Sequence, residues 1–205
     1  MTDSQIPSDA ELLRLTHAGD ENAFVILYRR YQGRIFRFAL QMIGCASTAE
    51  DVTQEVFLVL MGDASNYDVA RGSLSAYLHG IARNHVWRNL QRNRLLVPMA
   101  EDPDETYSFD PVIAPDNPLD DLTRREGIVA LERAVRALPP HYREVVVLCN
   151  LEEMSYADAA EVLDCAVGTV RSRLHRAHAL LVDKLRNSSE PQPTSRLGNV
   201  SRCFA

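Results

Sequence analysis

Apolar residues in the N-terminal half of the chain recur every three or four positions, the spacing that puts them on one face of an α-helix. The longest such run is Phe24, Leu27, Tyr28, Tyr31, Ile35, Phe38 and Met42. Asp20 before the run favours a helix start, and Gly44 after it favours a helix end. The pattern therefore predicts a long amphipathic helix between Asp20 and Gly44.

Three segments have the form of a capping box, in which a hydroxyl and a carboxylate three residues apart satisfy free amides at a helix start. They are Ser8–Glu11, Ser47–Glu50 and Ser155–Asp158. The first predicts a short helix that Gly19 ends. The second predicts a helix through about Leu60, with apolar positions at Val52, Val56, Val59 and Leu60.

A second long helix is predicted from Ser73 to about Leu95, with buried positions at Leu74, Leu78, Ile81 and Ala82. The residues after it form an acidic segment with prolines at 103, 111, 115 and 118. Proline removes an amide donor and disfavours helix at the residue before it. Residues 97–122 are therefore assigned to an acidic linker, of which Met99–Pro118 is interpreted as extended, although a featureless charged tether explains the same composition.

Helical spacing resumes from about Asp120 to Ala137, with an inner face of Ile128, Leu131, Val135 and Leu138. Pro139-Pro140 ends that helix and begins the next, which is predicted to continue from His141 to Asn150. Two further helices are predicted at Ser155–Leu163 and about Val167–Leu185. Strand patterns are nearly absent, so we expect an all-α fold with two small helical domains, residues 8–96 and 123–186, and a disordered tail at 187–205.

Charge is distributed in blocks. The formal net charge is -6 at pH 7, but residues 99–122 contain eight carboxylates and no basic residue. Residues 71–98 contain five arginines and no carboxylate, and residues 165–186 contain five basic residues and one carboxylate. Clustered positive charge in an acidic chain indicates surfaces that bind nucleic acid.

Several classes of protein are disfavoured. No apolar run approaches the ~20 residues of a membrane span, and the N-terminus lacks the pattern of a signal peptide, so a cytoplasmic location is expected. The four cysteines and six histidines are scattered without metal-ligand spacing, which predicts no metal site and no cofactor. Glycine-rich phosphate loops and nucleophile motifs are missing, so we expect no enzyme activity and no catalytic residues.

The last two predicted helices have the pattern of a helix-turn-helix. Asp164-Cys165-Ala166 forms the turn, and the second helix has an apolar stripe of Val170, Leu174, Ala177 and Leu181. A different, polar stripe consists of Thr169, Ser172, Arg173 and Arg176. In this motif the second helix enters the major groove, where an arginine that pairs with guanine contributes ~1–3 kcal/mol of discrimination. The alternative is an amphipathic helix with a solvated basic face.

Two stretches carry a resemblance to a known family. Residues 138–181, which read LPPHYREVVVLCNLEEMSYADAAEVLDCAVGTVRSRLHRAHALL, closely resemble the promoter −35-binding domain of the extracytoplasmic-function (ECF, group IV) sigma factors of bacterial RNA polymerase. The segments TAEDVTQEVFLVLM and SLSAYLHGIARNHVWRNLQRNR are similar to that family's −10-binding domain, in the right order. The resemblance covers about residues 9 to 186.

The resemblance implies a sigma factor that binds core RNA polymerase, recognises −35 and −10 elements, and promotes DNA melting and transcription initiation of a specific regulon. It implies −35 contacts from the recognition helix, at Thr169, Arg171, Ser172, Arg173, His175 and Arg176. It implies −10 contacts and melting at Asn84, Arg83, Trp87, Arg88 and Arg92, with weaker candidates at Asn66, Tyr67 and Arg71. Trp87 fits a stacking surface and a core anchor equally well.

The resemblance also implies partners. Asp51, Gln54 and Glu55 would contact the clamp coiled coil of the polymerase, and the −35-binding domain would contact the flap. The acidic linker would thread through the active-site cleft, where its carboxylates could mimic nucleic acid. Promoter DNA and an anti-sigma factor are further expected partners, the latter often anchored in the membrane, with no direct membrane insertion of this chain. The promoter consensus, the regulon, the inducing signal and the anti-sigma factor itself are not readable from these residues.

This sequence departs from the family pattern at two places. The turn has Asp164 where many members have glycine, and Ala166 where many have proline. The polymerase-binding helix has Thr53, and Val59-Leu60-Met61 where many members have a basic or aromatic end. Asp tolerates a left-handed backbone better than most residues, so we expect the turn to form. A stand-alone helix-turn-helix repressor, and a sigma mimic that binds an anti-sigma factor but not DNA, are the competing interpretations.

Overall fold

Helices make up most of the chain in the computed structural model, which describes residues 7–62, 67, 72–96 and 118–189. The N-terminal half contains α1 (Asp9–His17), α2 (Glu21–Ile43), α3 (Ala46–Gly62) and α4 (Leu74–Leu96). The C-terminal half contains α5 (Pro118–Arg136), α6 (Pro140–Val146), a π-helical turn (Val147–Leu151), α7 (Tyr156–Val162) and α8 (Val167–Ser189). No β-strand occurs in the described ranges, and the all-α prediction is confirmed.

Side chains cap the helices at most of the predicted starts. The Ser8 hydroxyl accepts a hydrogen bond from the Glu11 amide, and Asp20 Oδ1 accepts from the Asn22 amide at 2.9 Å. Gly44 ends α2 in the left-handed conformation, with φ +83°, and its N–H donates to the Leu40 carbonyl at 2.8 Å. These contacts confirm the predicted limits of α1 and α2, because each one satisfies a backbone group that the helix itself leaves free.

Two local predictions were wrong. Ser47 does not cap α3, because that helix begins at Ala46 and Ser47 lies in its first turn. The segment from His141 to Asn150 is not one regular α-helix either. It changes after Val146 into the π-helical turn, a wider winding for which this stretch carries no local sequence signal.

The structure also corrects the end of the linker and one buried position. Helix α5 begins at Pro118, two residues before the predicted start near Asp120 and within the acidic linker assigned to residues 97–122. Leu131, predicted to be buried, is 42% exposed, whereas Ala134, Val135 and Leu138 are buried. The predicted tail 187–205 begins too early, because α8 continues to Ser189. Residues 97–117 and 190–205 lie outside the described residues.

The two halves pack against each other and share one core. Helix α2 packs against α1, α3 and α4, and it also touches α5, α6 and the π-helical turn. Helix α4 packs against α7. Fully buried side chains come from both halves, including Leu27, Phe38, Leu78, Leu148 and Val170. Each contributes on the order of 1.5–3 kcal/mol by leaving water. This packing brings the predicted −10 and −35 helices into one body.

Candidate nucleic-acid interface

The helix-turn-helix forms from short-range contacts. The Ser155 hydroxyl accepts from the Asp158 amide at 3.0 Å and donates to the Asp158 carboxylate at 2.8 Å, which fixes the start of α7. In the turn, Asp164 has φ +49°, and the Cys165 amide donates to the Ala160 carbonyl at 3.0 Å. Aspartate therefore occupies the left-handed position that glycine fills most easily, and the turn forms as expected.

Helix α8 has a dry face and a wet face. The predicted apolar stripe is confirmed, since Val170 and Ala177 are fully buried and Leu174 and Leu181 nearly so. On the other side the predicted residues Arg171, Ser172, His175 and Arg176 are exposed, while Thr169 and Arg173 are partly buried. The buried face packs α8 against the rest of the C-terminal half, and the exposed face presents Arg171 and Arg176.

The polar side chains of α8 differ in their contacts. Ser172 donates its hydroxyl proton to the Thr169 carbonyl at 3.0 Å, within the helix. The Arg171 guanidinium lies 5.9 Å from the centre of the Tyr156 ring, a cation–π distance that orients this side chain. Arg173 turns back towards the molecule, with Nη1 3.9 Å from Glu144 Oε1. Arg171, His175 and Arg176 thus form the accessible recognition face, defined by these three residues.

The residues of α4 that were predicted to contact the −10 element lie on two different sides of the helix. Asn84, Arg88 and Arg92 are exposed, and their four-residue spacing puts them on one side of the helix, which we call the outer face of α4. Arg83 and Trp87 point instead to the C-terminal half. Arg83 Nε donates to Glu144 Oε2 at 3.1 Å, and Trp87 Nε1 donates to the same oxygen at 3.0 Å. Trp87 is therefore held by a polar contact between the two halves, which neither interpretation of its role had included.

The loop before α4 is described only at its end. Tyr67 packs against Tyr77, with ring centres 5.4 Å apart, and its hydroxyl donates to the Gly72 carbonyl at 3.3 Å. Asn66 and Arg71, the other candidates in this loop, lie outside the described residues. Ser73 caps α4 by accepting from the Ala76 amide at 3.1 Å.

The predicted polymerase-contact residues share an accessible surface. Asp51, Gln54 and Glu55 are all exposed on α3, opposite a buried stripe of Val52, Val56 and Leu60. Gln54 also lines a groove of about 430 Å³ between α2 and α3, whose other lining residues include Tyr28, Gln32 and Phe36. These three residues form the outer face of α3.

The departures from the family pattern on α3 fall on both sides of that helix. Thr53 is buried, and its hydroxyl donates to the Ala49 carbonyl at 2.8 Å. It therefore lies beneath the surface that Asp51, Gln54 and Glu55 present. Leu60 is buried, whereas Met61 is 56% exposed at the end of the helix.

Two buried glutamates join the halves, and the sequence patterns did not single them out. Glu144 and Glu152 are only 1% and 2% exposed. Glu152 receives Arg34 Nε at 3.0 Å and Arg37 Nε at 3.3 Å from α2, and Arg34 also donates to the Glu152 backbone carbonyl. Buried carboxylates need such partners, because an unpaired buried charge is costly. We call two sets of contacts the seam. Glu144 contacts Arg83, Trp87 and Arg173, and Glu152 contacts Arg34 and Arg37.

Further hydrogen bonds cross between the halves beside the seam. Arg143 Nη1 donates to the Met42 carbonyl at 2.9 Å, which satisfies a free group in the last turn of α2. Burial lowers the pKa of Arg143, and Arg136 nearby lowers it further. Ser73 donates its hydroxyl proton to Asp158 at 3.3 Å, linking the start of α4 to the start of α7.

One buried histidine lies on α4 close to the seam. His79 is fully buried, its ring packs edgewise on Phe38 at 5.5 Å, and its Nδ1 lies 2.8 Å from the Ser75 carbonyl. Burial lowers the pKa of His79 to about 4, and the positive charges of Arg34 and Arg37 act in the same direction, against the raising effect of the Ser75 hydrogen bond. The imidazole is therefore neutral at physiological pH.

Within the described ranges, no cluster of three or more histidine, cysteine or acidic side chains is arranged to hold a metal ion. Across the same part of the chain, every helix is too short or too polar to pass through a bilayer.

Family comparisons match both halves separately. The pattern of the family described as "Sigma-70 region 2" matches residues 27–95, which include α3 and almost all of α4. The pattern of the family described as "Sigma-70, region 4" matches residues 128–181, which contain the helix-turn-helix. The two matched stretches thus carry the residues of all three accessible faces described above.

Individual proteins resemble the chain along most of its length. It is 34% identical over 177 residues to the ECF RNA polymerase sigma factor SigM of Mycobacterium tuberculosis, covering 85% of this chain and 83% of that protein. It is 34% identical over 166 residues to the ECF RNA polymerase sigma factor SigE of Mycolicibacterium smegmatis, covering 80% of this chain but 62% of that longer protein.

A solved structure shares the fold. The structure of CnrH in complex with the cytosolic domain of CnrY superimposes with a TM-score of 0.64 at 25% sequence identity, covering 88% of this chain and 99% of that chain.

Proposed function

Because the chain belongs to the extracytoplasmic-function sigma factors of bacterial RNA polymerase, we propose that it directs core polymerase to the promoters of a specific regulon and promotes their melting. In this role the chain is a specificity subunit, and the polymerase supplies the catalysis. One observation carries the proposal. A helix-turn-helix with an accessible basic face shares one chain with a second, separate helix, α4, whose outer face carries two arginines and an asparagine.

The recognition face of α8 supports contact with the −35 element. Arg171, His175 and Arg176 project away from the buried stripe and are free to enter the major groove. An arginine there can pair with guanine through two hydrogen bonds, and the remaining cations can hold phosphates. Ser172 and Thr169 lie next to them, and Arg173 joins this surface when its contact with Glu144 opens.

The outer face of α4 supports contact with the −10 element. Strand separation requires groups that hold single-stranded backbone and an extruded base. Arg88 and Arg92 supply the cations, and Asn84 supplies the hydrogen-bonding amide. Arg83 and Trp87 complete this surface in the open complex, where Trp87 offers a ring for stacking.

The outer face of α3 and the linker support contacts with the polymerase itself. Asp51 and Glu55 suit a basic surface such as the clamp coiled coil, and Gln54 adds a hydrogen-bonding side chain. The C-terminal half would contact the flap. The acidic linker, whose residues 97–117 lie outside the described ranges, would occupy the cleft in which the polymerase holds nucleic acid. Neutralising its carboxylates should alter abortive initiation or promoter escape, and unchanged transcript profiles would contradict this part of the proposal.

An anti-sigma factor is the proposed regulator. CnrH, which shares the fold at 25% identity, has been solved with the cytosolic domain of CnrY. We propose that this chain binds a comparable cytosolic segment and acts in the cytoplasm, free or held near the membrane through that partner.

In vitro transcription tests the proposed function. Purified chain and core polymerase are combined with fragments of the source genome, and the 5′ ends of the transcripts are sequenced. Defined start sites that share upstream −35 and −10 sequences, and that require both proteins, are the expected result. A stand-alone repressor would instead bind duplex DNA without initiating transcripts. Initiation that is identical with and without the chain would contradict the proposal.

A further inference from the structure

We propose that the seam is an autoinhibitory latch, which holds the −10 surface closed in the free protein. The inference rests on the proposed function, because it concerns the accessibility of residues assigned there to DNA. Glu144 contacts Arg83, Trp87 and Arg173, which belong to the candidate surfaces for both promoter elements. A single carboxylate thus engages both DNA-binding helices at once.

The chemistry of Glu144 explains why its contacts exclude DNA. Its Oε2 accepts from the Nε–H of Arg83 and the indole N–H of Trp87, so it takes the position in which a backbone phosphate would receive the same donors. While this buried glutamate stays in place, the Arg83 Nε–H and the Trp87 indole N–H are already engaged and do not donate to a phosphate. The Arg83 side chain itself is only 23% exposed.

Glu152 forms the other part of the latch, with partners outside the proposed DNA surface. Its carboxylate is held by Arg34 and Arg37, and this contact spans more than a hundred residues of sequence. Arg143 adds a hydrogen bond to the end of α2. These contacts are polar, so water can replace them when the halves separate, whereas the apolar contacts of the shared core oppose that separation. The polar contacts therefore suit a junction that must open reversibly.

The latch predicts how the protein becomes active. In the closed state Asn84, Arg88 and Arg92 are exposed, whereas Arg83 and Trp87 are only partly exposed and are hydrogen-bonded to Glu144, so single-stranded DNA meets only part of its surface. Binding of the two halves to separate sites on the polymerase would pull Glu144 away from α4. Apparent affinity for single-stranded DNA is reduced by the fraction of molecules that are closed. Opening the latch should therefore raise this affinity without any change in the DNA-binding residues.

The chain offers a direct probe, because Trp87 is its only tryptophan. The double variant Arg34→Ala/Arg37→Ala removes the partners of Glu152 and leaves every proposed DNA contact intact. Arg29→Ala, an exposed arginine of the same helix, is the matched control. Glu152→Gln is a second variant that opens the same contact by removing one charge only. Helical content by circular dichroism verifies that each full-length variant is folded.

Two measurements are made on the free chain. The first is the emission maximum of Trp87 and its quenching by acrylamide. The second is binding of a fluorescein-labelled, mixed-sequence single-stranded DNA. We expect red-shifted, more strongly quenched emission and about tenfold tighter DNA binding for both latch variants, as for a closed form that dominates by about ten to one. The Arg29→Ala control should match the wild type in both measurements.

The outcomes separate the latch from the proposed function. Equal quenching and equal DNA binding for wild type and latch variants would overturn the latch, even if the chain initiates transcription with core polymerase. A red shift without tighter DNA binding would also overturn it, because the freed residues would then not bind DNA. Failure to initiate transcription would count against the proposed function, whereas the emission of Trp87 would still report whether the halves separate.

Discussion

The two basic helices, α4 and α8, have the same length of 23 residues but present their arginines in different ways. On α8 Arg171 and Arg176 are exposed, and Arg173 contacts the buried Glu144 within its own half. On α4 Arg88 and Arg92 are exposed, but Arg83 contacts the same glutamate across the boundary between the halves. A charge pattern therefore indicates a candidate nucleic-acid surface, and tertiary partners decide which of its cations are exposed.

The comparison also suggests an order of events. A helix whose basic face is free can meet duplex DNA as soon as the protein reaches a promoter. On α4, Arg83 and Trp87 become available only when the halves separate, so the complete set of melting contacts would follow polymerase binding. The next four predictions test this difference, from the largest expected effect to the smallest.

Replacing Glu144 should have the largest effect on stability. Glu144→Ala leaves Arg83, Trp87 and Arg173 without their shared acceptor and opens a space in the seam. We expect the free energy of unfolding to fall by about 3 kcal/mol, near the lower end of the range for breaking a buried ion pair. The cost is not larger because water can partly hydrate the arginines that lose their partner. Urea denaturation measures the change. Glu153→Ala, at an exposed glutamate close by, is the control and should stay within about 0.5 kcal/mol of the wild type.

His79 should make the stability of the α4 region depend on pH. Its pKa of about 4 in the folded protein lies below the ordinary value of 6.5, so the unfolded chain binds the proton more readily. Its contribution is therefore complete above about pH 6.5 and is lost as pH falls towards 4, by on the order of 3 kcal/mol. Urea denaturation of wild type and His79→Asn across this range should show a shallower loss for the variant. Parallel curves would contradict the assignment.

The recognition face of α8 should contribute to DNA binding and little to stability. Arg176→Ala is expected to weaken binding of the mapped promoter by the complete polymerase complex by roughly ten- to hundredfold, the effect of ~1–3 kcal/mol. Its urea midpoint should match the wild type, because the side chain is exposed. Lys184→Ala, in the later part of the same helix, is the comparison variant and should weaken binding less. Equal losses for both variants would place the recognition surface elsewhere.

The smallest expected change in stability distinguishes the predicted capping box at Ser155 from the one at Ser47. Ser155→Ala removes a hydroxyl that caps α7 and should cost about 1 kcal/mol of unfolding free energy. Ser47→Ala removes a hydroxyl inside the first turn of α3 and should cost less than about 0.5 kcal/mol. Thermal or urea denaturation of the two variants is sufficient. A larger loss at Ser47 would contradict the observed start of α3.

The sequence predicted what local chemistry determines. The ends of α2 follow from Asp20 and Gly44, whose side chain and backbone act on residues within one turn. The dry stripe of α8 follows from its spacing, since every one of its four members is buried. Ser47 misled because capping depends on the conformation of the residue as well as its type. Helix α3 begins at Ala46, two residues before Thr48, which would be the first helical residue after a cap at Ser47.

The seam could not be predicted, because its partners are distant in sequence. Glu144 lies 57 residues from Trp87 and 61 from Arg83, and nothing in either segment indicates the pairing. The sequence contains one weak signal. Glu144 directly precedes the apolar residues 145–148, and a position next to such a run is expected to be buried with it. The sequence analysis named Asn84, Arg88 and Arg92 together with Arg83 and Trp87, and it did not separate the exposed residues from the engaged ones. Which cations are engaged internally emerged only from the packing of the two halves.

Permanganate footprinting of a mapped promoter tests the central claim most directly, because it detects unpaired thymines in the −10 region. The account predicts reactive thymines when both core polymerase and this chain are present, and none with either protein alone. It also predicts that Asn84→Ala/Arg88→Ala abolishes the reactivity while polymerase binding persists. Melting by core polymerase without the chain, or unchanged melting with this variant, would contradict the account.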